Sequence, residues 1–92
     1  MAEDVVRRHV VVTGRVQGVF FRDSMRQLAE ERGIAGWVSN RADGALEAVF
    51  EGSEANVIEL LTFCREGPPQ ARVETVTDNQ ERPEGLSGFS VR

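Results

Sequence analysis

The chain has 92 residues, of which 40% are hydrophobic and 28% are charged, and its formal net charge is −4. This composition is too apolar for a disordered chain, and the length predicts a single folded domain over residues 1–92. The acidic balance argues against a nucleic-acid partner, because domains that bind nucleic acids carry a basic surface.

Cysteine content and hydropathy indicate where the protein works. Cys64 is the only cysteine and His9 the only histidine, so the sequence offers neither a disulfide pair nor a Cys/His metal cluster. The start, Met1–Asp4, is acidic and the apolar runs after it are short, so we expect neither a signal peptide nor a membrane span. We predict a cytoplasmic protein without a membrane partner, and a monomer is the expected state for so small a domain.

A strand and a helix are predicted first. A β-branched run predicts a strand over residues 5–13 that ends at Gly14. From Phe21 the apolar residues recur at helical spacing, and Gly33 ends this helix. Its buried stripe is predicted to contain Phe21, Met25, Leu28, Ala29 and the stem of Arg32.

Two strands follow, over residues 34–41 and 45–52, and the dipeptide Asp43-Gly44 predicts a hairpin between them. The second strand alternates apolar and acidic residues, so one face should be buried and the other solvated. The buried set is Leu46, Ala48 and Phe50, and the solvated set is Glu47 and Glu51.

A second helix is predicted to begin after Ser53, a good N-cap residue, and to end before Gly67-Pro68-Pro69. An edge strand over residues 71–78 and a possible short strand over residues 89–91 complete the chain. The order βαββαβ predicts a ferredoxin-like α+β fold, a split βαβ sandwich. Both helices should pack on one face of a mostly antiparallel sheet.

A segment with two glycines, Gly14-Arg15-Val16-Gln17-Gly18-Val19-Phe20, joins the first strand to the first helix. Successive backbone N–H groups in such a turn can form an anion-binding nest, and the following helix adds the positive end of its dipole. Arg22 lies in the first helical turn, where a positive charge is unfavourable without an anion, and its guanidinium can donate to two phosphate oxygens. Spacing alone also fits a loop that only changes the direction of the chain.

Two motifs resemble the signatures of the acylphosphatase family. One is the segment from Gly14 to Phe20 with Phe21-Arg22, and the other is Gly36-Trp37-Val38-Ser39-Asn40, followed by Asp43-Gly44 and Leu46-Glu47. The resemblance extends over essentially the whole chain. It implies that Arg22 is the phosphate-binding catalytic arginine and that Asn40 positions the attacking water. It also implies that the phosphate is bound by the backbone amides of Arg15, Val16, Gln17, Gly18, Val19 and Phe20.

Some side chains of these motifs receive no chemical role from the resemblance. Arg15 and Gln17 are assigned only loop shape and charge, and Phe20, where some family members have a smaller residue, is expected to alter only the pocket wall. Asn40 also suits turn geometry, because asparagine before an Asp-Gly hairpin commonly bonds to the backbone. Asp23 is expected to complement the helix dipole, and a lone histidine such as His9 is more often structural than catalytic.

The activity implied by the resemblance is hydrolysis of the carboxyl-phosphate bond of small acyl phosphates to a carboxylate and inorganic phosphate. The product phosphate is expected to inhibit competitively. A carboxylate leaving group, whose conjugate acid has a pKa near ~4, needs no general acid, so positioning and charge can suffice. No metal or other cofactor is expected, and the substrate's own phosphate is expected to accept the proton of the water.

Two other functions stay open at this stage. The same fold could form a non-catalytic module that binds phosphate or carbamoyl phosphate within a larger assembly. RNA binding through a ferredoxin-like sheet would need exposed aromatic residues and a basic surface, and the net charge of −4 disfavours it.

Overall fold

The computed structural model describes residues 4–92. These residues form a five-stranded sheet and two helices. Residues 1–3, on which part of the signal-peptide prediction rests, lie outside the described residues. The elements in chain order are β1 (Val5–Arg15), α1 (Phe21–Glu31), β2 (Ala35–Asn40), β3 (Leu46–Ser53), α2 (Glu54–Glu66), β4 (Arg72–Glu81) and β5 (Phe89–Val91).

The strands lie in the order β4-β1-β3-β2-β5. All neighbours are antiparallel except β2 and β5, which pair in parallel over three residues. The prediction of a ferredoxin-like α+β fold is therefore confirmed, together with the short C-terminal strand. Among residues 4–92, neither helix has the length and apolarity needed to cross a membrane.

The hydrophobic core lies between one face of the sheet and the two helices. Alternate residues of the strands point into it, because successive side chains of a strand face opposite sides of the sheet. Cys64 is fully buried there, and this burial raises the pKa of its thiol to about 12. The largest buried side chains of this core are Phe21, Met25, Leu46, Phe50 and Leu60.

Strand β1 runs two residues further than the sequence predicts. It continues through Gly14 to Arg15, with a bulge between Thr13 and Gly14 in its pairing with β4. Gly14 has a φ of 122°, and a Cβ there would lie 2.2 Å from the main-chain oxygen of Arg72. The prediction that Gly14 ends the strand was wrong, because this glycine lets the strand bend at a bulge and then resume pairing.

The predicted buried stripe of α1 is correct for Phe21, Met25 and Ala29. Arg32, in contrast, is exposed and lies beyond the last helical residue, where its guanidinium pairs with Glu59 of α2. Helical spacing placed Arg32 on the stripe, but the helix ends before the stripe reaches it. Its side chain therefore connects the two helices at the surface.

Glu51 was predicted to face solvent, and the structure contradicts this. Glu51 is only 3% exposed and accepts hydrogen bonds from Arg7 at 2.6 Å and from the amides of Glu84 at 2.9 Å and Leu86 at 3.0 Å. The loop after β4 covers this face of the sheet, which has no helix. Burial alone would raise the pKa of Glu51, but these hydrogen bonds outweigh it and hold the pKa below its usual value.

Replacing Gly14 by alanine should destabilise the protein by about 3 kcal/mol, because the new Cβ would clash with the backbone of β4 in addition to the strained φ. Gly33→Ala is the matched control, since Gly33 has a φ of 66° and open space around it. It should cost only about 1 kcal/mol. Urea unfolding of both variants measures the two values, and equal losses would contradict the steric argument.

Glu51→Gln should lower the free energy of unfolding at pH 7 by about 3 kcal/mol, because buried Arg7 loses a charged partner. The folded pKa of Glu51 lies below its unfolded value of about 4.3, so its stabilisation is complete above that value. It is lost as the pH falls through the folded pKa. Unfolding curves at several pH values should show the difference between wild type and variant narrowing below about pH 4.

The matched control for this prediction is Glu59→Gln, which removes the partner of Arg32 in an exposed ion pair. Exposed pairs contribute little, so the loss should stay below about 1 kcal/mol. A difference between wild type and Glu51→Gln that is the same at pH 3 and pH 7 would show that the charge of Glu51 does not stabilise the fold.

Candidate functional site

A cleft of about 620 Å³ opens where the loop before α1 meets the end of β2 and strand β5. It brings together Arg22 and Asn40, which lie 18 residues apart in the chain. Three of the predicted loop residues also line it: Val16, Gly18 and Phe20. The remaining lining residues are Phe21, Asp23, Arg26 and Val91.

The sheet explains why Arg22 and Asn40 share a cleft. Strand β3 pairs antiparallel with both β1 and β2, so these two strands run in the same direction and end at the same edge. Leu46 is opposite Val12 of β1 on one side and Asn40 of β2 on the other. The chain leaves β1 at this edge and enters α1, which places Arg22 above the end of β2.

The backbone between β1 and α1 has two left-handed residues, Gly18 with a φ of 72° and Phe20 with a φ of 66°. Left-handed geometry at a residue with a side chain costs about 1 kcal/mol, and turns of this kind direct backbone N–H groups into a concave site. Phe20 is also the N-cap of α1, and no side chain caps that helix, whereas Ser53 caps α2. The first amides of α1 are therefore left for another acceptor.

Within residues 4–92, no Asp or Glu side chain forms an ion pair with Arg22. Its guanidinium Nη1 donates only to the main-chain oxygen of Arg92, at a long 3.4 Å. The neighbouring Asp23 pairs instead with Arg26, at 2.7 Å. The structure thus combines, at the cleft, a guanidinium without an Asp or Glu partner among the described residues and uncapped helix amides, an arrangement that attracts an anion.

Gln17 holds the loop against the hairpin that follows Asn40. Its side-chain Nε2 donates to the main-chain oxygens of Arg41 at 2.8 Å and Ala45 at 3.0 Å. These bonds fix the distance between the two halves of the site. The sequence analysis assigned Gln17 only loop shape and charge, and the structure adds its hydrogen-bond partners in the hairpin.

The hairpin turn itself does not use the Asn40 side chain. Asp43 Oδ1 accepts a hydrogen bond from the amide of Ala45 at 3.0 Å, and the amide of Arg41 donates to the oxygen of Ala45 at 2.8 Å. Asp43 therefore supplies the side-chain bond that turns of this type use. The turn-geometry interpretation of Asn40 loses its main support.

Three predicted loop residues do not present their side chains to the cleft. Arg15 is exposed at the end of β1, where it is opposite Arg72 of β4, and the side chain of Val19 is buried in the core. Gln17 points to the hairpin, as described. Any contribution of these residues to ligand binding must come from their backbone amides.

Four residues that line the cleft were not predicted as site residues, and one of them, Phe21, was assigned to the buried stripe of α1. Arg26 lies one helical turn after Arg22, so the i, i+4 spacing could have placed both on one face of α1. Asp23 was noted only for the helix dipole. Val91 had no local signal, because it reaches the site through the parallel pairing of β5 with β2.

Within residues 4–92, no group of three or more His, Cys, Asp or Glu side chains is placed to hold a metal ion. His9, the only histidine, bonds to Glu47 at 2.6 Å on β3.

Comparison with known proteins decides the family. A family model described as Acylphosphatase matches residues 8–91. The chain belongs to the acylphosphatase family. It is 50% identical to an acylphosphatase of Haloquadratum walsbyi over 92 residues, covering 100% of this chain and 99% of the relative. It is 54% identical to one of Rubrobacter xylanophilus, covering 99% of this chain and 84% of the relative.

A solved structure agrees with the fold. The structure of an acylphosphatase from Coxiella burnetii superimposes with a TM-score of 0.92 at 43% sequence identity, covering 97% of this chain and 94% of that chain. The family resemblance seen in the two sequence motifs is confirmed.

Gln17→Glu should destabilise the protein by about 2 kcal/mol, because two hydrogen bonds are lost and a carboxylate then faces two carbonyl oxygens. Gln70→Glu makes the same chemical change at an exposed position in the turn before β4 and should have little effect. Thermal and urea unfolding measure the stability of both variants. Equal stability of the two variants would show that the loop is not held through Gln17.

Proposed function

We propose that this acylphosphatase hydrolyses acyl phosphates with Arg22 and the loop amides holding the phosphoryl group and Asn40 positioning the water. The observation that carries the proposal is the meeting of Arg22 and Asn40 in one cleft at the uncapped start of α1. Without Asn40, Arg22 and the uncapped start of α1 would support only the binding of an anion. Together with Asn40 they supply both a phosphate site and a polar group beside it.

The phosphate end is built from positive charge and N–H donors. The Arg22 guanidinium can form a fork with two phosphoryl oxygens, and no Asp or Glu side chain competes for it within the described residues. The amides from Arg15 to Phe20 and the first turn of α1 offer further donors. Fixed donors of this kind stabilise the charge that develops on the phosphoryl oxygens as the bond to the leaving group breaks.

Asn40 is suited to direct a water molecule because its amide both donates and accepts hydrogen bonds. It lies at the last residue of β2, and its backbone pairing with Leu46 fixes it relative to the loop. The carbonyl oxygen of the amide can accept from the water and aim a lone pair at phosphorus. A water molecule that is held in place attacks phosphorus in an effectively intramolecular step, which lowers the entropy cost of the reaction.

The proton of the water is proposed to pass to a phosphoryl oxygen of the substrate. His9 is bonded to Glu47 on β3 and does not line the cleft. Asp23 does line it, but its carboxylate is paired with Arg26. Loss of turnover in Asp23→Asn with substrate binding retained would identify Asp23 as the base and would sink this step.

We also propose that the enzyme acts as a cytoplasmic monomer on small-molecule acyl phosphates, with residues 1–92 as one domain and no metal or nucleic-acid partner. The buried thiol of Cys64 fits a reducing compartment. The sheet edges support a monomer, since β4 is polar and exposed and β5 has only three residues.

The decisive test is hydrolysis of benzoyl phosphate with a chelator present. Arg22→Ala should lower kcat/KM by at least about 10²-fold and abolish competitive inhibition by inorganic phosphate. Asn40→Ala should lower turnover by a similar factor and leave phosphate inhibition in place. Steady-state kinetics and phosphate titration by calorimetry measure these effects.

Matched controls are Arg82→Ala and Asn79→Ala, both at exposed positions away from the cleft. Both control variants should have the kcat/KM and the phosphate inhibition of the wild type. Phosphate binding without any hydrolysis by the wild type would favour the non-catalytic binding module. Activity that disappears with the chelator would contradict the metal-free mechanism.

A further inference from the structure

The cleft is larger than a phosphoryl group requires. Its volume of about 620 Å³ lies within the range of roughly 300–1,000 Å³ typical of sites for small organic molecules. If the phosphoryl group is held at Arg22, as the proposed function requires, the acyl group must extend along the rest of the cleft. The residues that line this remainder therefore contact the acyl group.

Phe20 is the largest side chain that the cleft exposes. Its side chain is 73% exposed, the highest value among the large hydrophobic residues of the described part of the chain. The next residue, Phe21, is 1% exposed and packs edge-on against Phe63 with ring centroids 5.4 Å apart. Two successive aromatic residues thus face opposite ways, one into the core and one into the cleft.

Folding does not explain this phenylalanine. The side chain of Phe20 contributes neither to the core nor to the capping of α1, and its left-handed φ of 66° is one that glycine or asparagine adopts more easily. A flat apolar ring with few rotatable bonds is, however, well suited to pack against a ligand. The side chain is therefore available to contact a group bound in the cleft.

Apart from Arg22, the charged side chains that line the cleft offset each other. Asp23 and Arg26 both line it, but they form an ion pair with each other at 2.7 Å, so their charges offset. Val91 of β5 adds a further apolar side chain that is 42% exposed. A neutral wall with an aromatic ring and a valine favours an uncharged, apolar acyl group over a charged one.

We propose that Phe20 is a specificity-determining residue that packs against the acyl group of the substrate and selects acyl phosphates with an aromatic or large aliphatic acyl group. This inference rests on the proposed function, and it assigns the acyl end of the same cleft. Phe20 acts by contact with the leaving group, whereas Arg22 and Asn40 act at phosphorus.

The test compares benzoyl phosphate, acetyl phosphate and succinyl phosphate as substrates of the wild type, Phe20→Ala and Phe20→Leu. The wild type should prefer benzoyl phosphate. In Phe20→Ala the ratio of kcat/KM for benzoyl to acetyl phosphate should fall about 5- to 10-fold, the size expected for one lost aromatic contact, with the loss mainly in the KM for benzoyl phosphate. The same ratio for Phe20→Leu should lie between the values of the wild type and of Phe20→Ala.

Ile58→Ala is the matched control, because Ile58 is 51% exposed on α2 and does not line the cleft. It should keep the wild-type ratio. A ratio in Phe20→Ala equal to that of the wild type, with all three substrates hydrolysed, would overturn the inference and leave the proposed function standing. A preference for succinyl phosphate that Arg26→Ala removes would also overturn it, since the acyl end would then recognise an anion.

Failure of the proposed function has a different signature. The wild type would then hydrolyse none of the three acyl phosphates, whatever residue stands at position 20. The inhibition constant of inorganic phosphate serves as a separate readout of the loop. A fall in the benzoyl to acetyl ratio without a matching loss of phosphate affinity supports a contact with the acyl group, whereas an equal loss for all three substrates and for phosphate would overturn it.

Discussion

The simultaneous pairing of β3 with β1 and β2 is the constraint on which the rest of the structure depends. Because both pairings are antiparallel, β1 and β2 run in the same direction and end at the same edge of the sheet. The loop that leaves β1 and the residue that ends β2 are thus brought together, about two strand spacings or ~10 Å apart.

The way in which α1 begins follows from this constraint. The chain has to turn from the end of β1 into a helix within a few residues, and left-handed backbone at Gly18 and Phe20 makes the turn. Such a turn leaves the first amides of α1 without a side-chain acceptor, so that water or a ligand has to accept from them. The geometry of the turn thus leaves open the N–H donors that the proposed phosphate site uses.

Local signals in the sequence predicted much of the fold. Ser53 and Gly67 mark the ends of α2, and Asp43-Gly44 marks the hairpin, because capping and turn chemistry act within a few residues. The family motifs placed Arg22 and Asn40 in the same cleft. The catalytic roles of these two residues remain predictions.

Other features depend on contacts that are distant in the chain, and these the sequence could not show. The bulge at Gly14 is set by the approach of β4, and the burial of Glu51 is set by Arg7 and by the loop after β4. An alternating pattern identifies which face of β3 a residue occupies but not what later covers that face. Val91 reaches the cleft only because β5 pairs with β2, and three residues carry too little periodicity to predict a partner.

The loop after β4, which buries Glu51, also leads to β5, the strand that forms one edge of the sheet. It carries the chain from β4, at one edge, across the helix-free face to β5 at the other edge. Strand β2, with its half-buried Trp37, would otherwise offer six residues of unpaired backbone, and β5 covers half of them. A long unpaired edge is the usual template for intermolecular β-pairing and fibril growth. One buried carboxylate on β3 thereby helps to keep this small enzyme from aggregating.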